Sequence, residues 1–156
     1  MCIICRENPT NTIKSIISHG SSKIINLIDC DTLIELPSIQ GIKGLRGLSC
    51  ARMTKLQTIN PKQYSDGLKT LTFENCLELT HIPCFNAVES IQVINCPKLV
   101  SIQPMPSLKS IFSFGCPNLG DTSNVTAHEL PEFNNITRQY IRVYNAVYPN
   151  RTFALV

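Results

Sequence analysis

Residues 88–119 read VESIQVINCPKLVSIQPMPSLKSIFSFGCPNL, and this stretch contains the same pattern twice. With Cys96 laid over Cys116, Val88 falls on Leu108, Ile91 on Ile111 and Leu99 on Leu119, at an offset of 20 residues. A fixed period of this size marks a solenoid, a chain wound into coils that touch only their neighbours.

Cys76, Cys50 and Cys30 extend the register toward the N-terminus, with steps of 20, 26, 20 and 20 residues from Cys30 to Cys116, and Thr10 continues it once more. Six coils result. Eight and five residues before the cysteine stand Ile42 and Leu45, Leu68 and Leu71, Val88 and Ile91, and Leu108 and Ile111, with Ser22 and Ile25 in an earlier coil. Three before it come Leu27, Gly47, Phe73, Val93 and Ser113; three and six after it come Leu33 and Leu36, Met53 and Leu56, Leu79 and Ile82, and Leu99 and Ile102. The pattern is L-x-x-L-x-L-x-x-C-x-x-L-x-x-I-P.

This pattern resembles the leucine-rich repeat family, whose unit is L-x-x-L-x-L-x-x-N/C-x-L, and the resemblance covers residues 2–125. The short unit and the C-x-x-L spacing are similar to the repeats of plant immune receptors, of bacterial effectors and of large DNA viruses. The resemblance implies a mainly β solenoid: a right-handed superhelix with a parallel concave β-sheet and an irregular or short 3-10 convex side. Residues 1–125 then form an array of about six coils, and residues 126–156, where the period fails, form a C-terminal cap.

A chain of 156 residues, 43% hydrophobic, is long enough for one continuous core, and a net charge of +3 does not by itself imply nucleic acid. The apolar MCIIC opening is too short for a secretory signal or a membrane span. A cytoplasmic location is therefore expected, in a host cytoplasm or virion if the viral resemblance holds, with the eight cysteines as reduced thiols. Five of them, Cys30, Cys50, Cys76, Cys96 and Cys116, are expected to form an internal structural ladder. On that reading the sequons at Asn124, Asn135 and Asn150 are chance matches.

Cys2 and Cys5 spell C-x-x-C without the second Cys or His pair that a zinc site needs, so no metal is expected. The first coil, residues 1–20, has no capping coil before it, so either an upstream part of the chain, or a partner or second copy of the chain, is expected to cover this edge. Between Ile59 and Leu68 the register requires six extra residues within NPKQYSDG, rich in turn formers, and this insertion must bulge from the stack as a surface loop. In the cap, RQYIRVYNAVY reads as a helix or as a strand paired with RTFALV; β-branched and aromatic content favours strands.

Residues between the inward leucines face out along one surface. Two before each cysteine are Ile28, Leu48, Glu74, Ile94 and Phe114; four before are Asn26, Arg46, Thr72, Gln92 and Phe112; seven before are Lys23, Lys43, Lys69, Glu89 and Lys109. The concave sheet should thus carry an apolar column near a lysine column, suited to a protein partner with an acidic rim. Catalytic patterns such as G-x-S-x-G, H-E-x-x-H and a phosphate-binding glycine loop do not occur, and His19, His81 and His128 are dispersed. Cys84, outside the ladder, is the cysteine to test for reactivity.

The expected function is non-enzymatic protein binding through the concave face, as for a viral or pathogen protein engaging a host factor. No cofactor, nucleic acid or membrane is expected to take part. The alternative is an assembly component that stacks through its first coil, and an enzymatic role would have to reside in the tail or the Lys62 to Asp66 loop.

Overall fold

The computed structural model describes residues 24–36, 44–63 and 67–120. Seven strands occur there: β1 (Ile24–Ile28), β2 (Gly47–Ala51), β3 (Thr70–Glu74), β4 (His81–Ile82), β5 (Ser90–Ile94), β6 (Ser101–Ile102) and β7 (Ser110–Phe114). The five longer ones stack in the order β1-β2-β3-β5-β7, each parallel to the next. Together they make a parallel β-solenoid of about four turns, without an α-helix among the described residues.

Alternation builds each strand. In Ile24–Ile28, Ile25 and Leu27 are buried while Ile24, Asn26 and Ile28 are exposed, the period of two that a pleated strand imposes. The next residue turns the chain. Asp29, Arg52, Asn75, Asn95 and Gly115 all have positive φ, from 51° to 65°, in the same place of successive coils. That conformation is open to glycine and tolerated by Asn and Asp. A turn closed by Leu79 N–H on the Cys76 carbonyl follows, repeated by Leu99 on Cys96 and Leu119 on Cys116. Pro97 and Pro117 take the second position of their turns, where a fixed φ and a missing N–H cost nothing.

The register differs from the cysteine alignment. Ile24 lies beside Gly47 and Gly47 beside Thr70, two steps of 23 residues, before steps of 20 carry Thr70 to Ser90 and Ser110. The steps are therefore 23, 23, 20 and 20, not 20, 26, 20 and 20. Cys50 pairs with Leu27 and Phe73, and Met53 takes the place that Cys30, Cys76, Cys96 and Cys116 hold in their coils. The left-handed turn residues give the same answer, because Arg52 and not Ser49 has the positive φ. The physical reason is that Cys, a small apolar side chain, is buried in either inward column, and the flexible Met fills the slot that Cys holds elsewhere, so identity at Cys50 does not fix the slot.

The six-residue insertion is accordingly two insertions of three residues, one in each of the first two steps. The second contains the 3-10 turn Pro61–Gln63, in keeping with an irregular connecting side. That side is more regular than expected further on. There β4 and β6 pair in parallel, and buried Ile82 and Ile102 reach the same core as the leucines; nearer the start of the stack Glu35 bridges Thr58 in the same way.

Leu45, Leu68, Leu71, Phe73, Leu79, Ile91 and Leu99 line that core, which runs the length of the stack. No helix among the described residues is long and apolar enough to cross a membrane. The first coil with Cys2, Cys5 and His19, the cap with His128, the three sequons and Asp66 lie outside the described residues.

Candidate functional site

The register sets which side chains share the outward face of the five-stranded sheet. Three rows cross it: Ile24, Gly47, Thr70, Ser90 and Ser110 at the strand starts; Asn26, Ser49, Thr72, Gln92 and Phe112 along the middle; Ile28, Ala51, Glu74, Ile94 and Phe114 at the strand ends.

Most predicted face residues are here. Ile28 is 46% exposed, and Thr72, Glu74, Gln92, Phe112 and Phe114 are half-buried. Three corrections follow from the register. Leu48 points inward, 2% exposed between Ile25 and Leu71, because β2 is shifted by three residues from the cysteine alignment. Arg46 leaves the middle row for the column just ahead of the strands, where it precedes Lys69, Glu89 and Lys109 by the same steps. Ile94 lies on the outward face yet is only 2% exposed, so it contributes packing rather than open surface.

The apolar column is thus interrupted by Ala51 and Glu74, and open apolar area is concentrated on β1, where Ile24 is 52% exposed. Lys23 and Lys43 lie outside the described residues.

Sequence reasoning missed Ile24, Ser49 and Ala51 as face residues. The signal was present: the cysteine alignment puts Gly47 in an apolar slot, where a glycine buries nothing. In the structure Gly47 sits at the strand start, and a Cβ there would lie 2.7 Å from Thr70 Oγ1 and 3.1 Å from Ile24 Cγ1. Its bare backbone lets those two side chains close over it.

Charge gathers along the column ahead of the strands. Glu89 accepts hydrogen bonds from Lys69 Nζ at 2.5 Å and from Lys109 Nζ at 2.7 Å. The hydrogen bonds from Lys109 and Lys69 pull its carboxyl down to about 2. Among the described residues, Arg46 reaches the Gly67 carbonyl, 3.4 Å away. At the other end of the strands, Asp29 and Arg52 pair through two hydrogen bonds, and Asn95 donates to Asn75 at 3.2 Å.

Beneath the face, four thiols repeat one contact. Cys30, Cys76, Cys96 and Cys116 each lie 3.5 to 3.8 Å from the carbonyl two residues back, that of the strand's last residue. A thiol is a weak donor small enough to serve there. Burial pushes the Cys50 thiol up, and the hydrogen bond with Cys96, then burial, does the same to Cys116. Groups held protonated in this way are poor nucleophiles. Cys84, half-buried, stands outside the column.

On the second sheet His81 Nδ1 and Ser101 Oγ are 2.8 Å apart and exposed to solvent, away from the outward face. Among the described residues no three His, Cys, Asp or Glu side chains are grouped to hold a metal ion.

Set against models of protein families, curated proteins and solved structures, the chain finds no match.

Proposed function

We propose that this chain is a leucine-rich-repeat type interaction module that binds a protein through the outward, concave face of its five-stranded sheet, without catalysing a reaction. One observation carries this reading: inward columns repeat one chemistry while the middle outward row does not. Leu, Ile, Val and Cys recur inward, as in Ile25, Leu48, Leu71, Ile91 and Ile111. The middle outward row runs Asn26, Ser49, Thr72, Gln92 and Phe112, five different residues on five aligned strands.

Stacking constrains the inward positions, since each must fill the same hole in the next coil. It leaves the middle outward row far less constrained, and a rigid sheet presenting varied side chains is a surface on which a partner is read. The finer architecture, a right-handed superhelix of leucine-rich-repeat type, is part of the same proposal; the match to L-x-x-L-x-L-x-x-C supports it.

The test is to replace Thr72 and Gln92 together by Tyr, a bulky residue that strands accommodate. Affinity purification from the native cell should recover a protein with the unaltered chain and lose it with the variant, at unchanged circular dichroism and melting. Equal recovery by both would contradict binding through this face.

A further inference from the structure

The coils pair charges with one another, and one column holds a marked excess of cations. At the strand ends Asp29 meets Arg52. Along the turn after the strands, Lys55, Glu78 and Lys98 alternate in sign over steps of 23 and 20 residues, with Lys98 Nζ on Glu78 at 2.7 and 2.9 Å. Ahead of the strands, Arg46, Lys69, Glu89 and Lys109 set three cations against one carboxylate. Glu89 is shared by both lysines, the Lys109 side chain stays 69% exposed, and Arg46 forms no ion pair among the described residues.

We infer that this column is the rim against which an acidic protein segment lies, running along the stack from Arg46 to Lys109. The inference rests on the reading that the adjoining sheet face binds a protein, and it names the chemistry of that protein's edge. Arg46 meets no carboxylate among the described residues, whereas a partner carboxylate gives it the kind of pairing that Arg52 finds in Asp29 and Lys98 in Glu78. Rim charges of this kind set association rate and partner choice more than raw affinity.

Geometry sets the spacing of the partner's charges. Three coil steps of about 4.8 Å separate Arg46 from Lys109, roughly 14 Å in all. An extended segment rising about 3.3 Å per residue covers this in about four residues, and residues four apart share one side of a strand. Carboxylates four residues apart therefore fit Arg46 and Lys109 together. Glu89, between them, repels such a segment and occupies both lysines, so it acts as a built-in competitor.

The probe is a fluorescein-labelled peptide repeating Glu-Ser-Thr-Ser, with the Gln-Ser-Thr-Ser peptide as control, followed by anisotropy. Binding of the acidic peptide should weaken between about 0.01 M and about 0.15 M salt, as the Debye length falls from about 30 to about 8 Å. Arg46→Glu or Lys109→Glu should weaken it by about fivefold, and Glu89→Gln should tighten it by about two- to fivefold. Equal binding of the control, indifference to both reversals, or weaker binding to Glu89→Gln would overturn the inference. So would tighter binding of oligothymidylate with the same dependence on Arg46 and Lys109, which would assign the column to phosphate. If the Thr72 and Gln92 variant loses its partner while the acidic peptide fails to bind, the sheet face stands and only the acidic rim falls.

Discussion

Arg52 holds Asp29 across neighbouring coils through Nε on Oδ1 at 2.5 Å and a terminal guanidinium nitrogen on Oδ2 at 2.8 Å. Both residues have left-handed φ, 54° and 58°. Each occupies the position just after its strand, so their pairing ties the first two described coils at the point where the chain turns inward. Asn75, Asn95 and Gly115 hold that position in the next three coils.

Backbone strain in this column should be measurable. Arg52→Gly should be more stable than Arg52→Ala by about 1 kcal/mol, since both lose the guanidinium and only glycine relaxes at positive φ. Gly115→Ala should cost about 1–2 kcal/mol from its φ of 65° alone. A Cβ there would also run into Asn95 Oδ1, adding to the loss. Urea denaturation of the three variants is the check; Gly115→Ala as stable as the unaltered chain would place Gly115 outside the column.

Cys50 and Met53 should respond as two different inward sites. Cys50, fully buried beside Leu27 and Phe73, should accept Val at a cost below about 1.5 kcal/mol, while Ser should cost about 1–3 kcal/mol for an unsatisfied buried hydroxyl. Met53→Ala should cost about 2–5 kcal/mol, as expected for a fully buried side chain. If Met53→Ala proves neutral in the same denaturation assay, its place in the core is wrong.

Acid should weaken the stack partly through Glu89. With its carboxyl lowered to about 2 by Lys109 and Lys69, the folded chain binds this proton less readily than the unfolded chain. The contribution is therefore complete above the ordinary carboxyl value of about 4.3 and is lost as pH falls toward 2. Asp29, lowered by its hydrogen bond with Arg52, acts in the same direction. Glu89→Gln should flatten the loss of denaturation midpoint between about pH 5 and about pH 2.5; an unchanged slope would show that the lysines do not hold Glu89 in solution.

Thiol labelling should divide the six described cysteines. Cys30, Cys50, Cys76 and Cys96 are buried, and the half-buried Cys116 is held protonated. Among these six, a maleimide added to the folded protein should modify Cys84 first, as mapped by peptide mass spectrometry. Labelling of Cys50 at the rate of Cys84 would contradict the packing of β2.

Much of this architecture is legible in the sequence, for a physical reason. Every coil must fill the same holes, so Leu71, Phe73, Cys76 and Leu79 announce their positions by recurring as Ile91, Val93, Cys96 and Leu99. The reading failed where two residue types suit one hole. Cys50 serves as well beside Phe73 as it would beside Cys76, and only the misplaced Gly47 betrays the shift.

The face suffered most from that error, since a shift of three residues exchanges inward Leu48 for outward Ala51 and moves Arg46 to the rim. The pairing of β4 with β6 was not legible either, because two-residue strands such as His81–Ile82 carry too little alternation to be seen. Two successive 20-residue steps already put Lys69, Glu89 and Lys109 in one column of the sequence alignment; that both lysines converge on the Glu89 carboxylate depends on side-chain conformations, which no spacing encodes.

The placement of every face residue follows from the alignment of β2 with β3, and NMR reads it directly. Cross-strand amide-to-Hα NOEs should join Ser49 with Thr72 and Leu48 with Leu71, neighbours in the parallel sheet. NOEs joining Arg46 with Thr72 and Ser49 with Asn75 would instead contradict the outward surface on which the proposed binding stands.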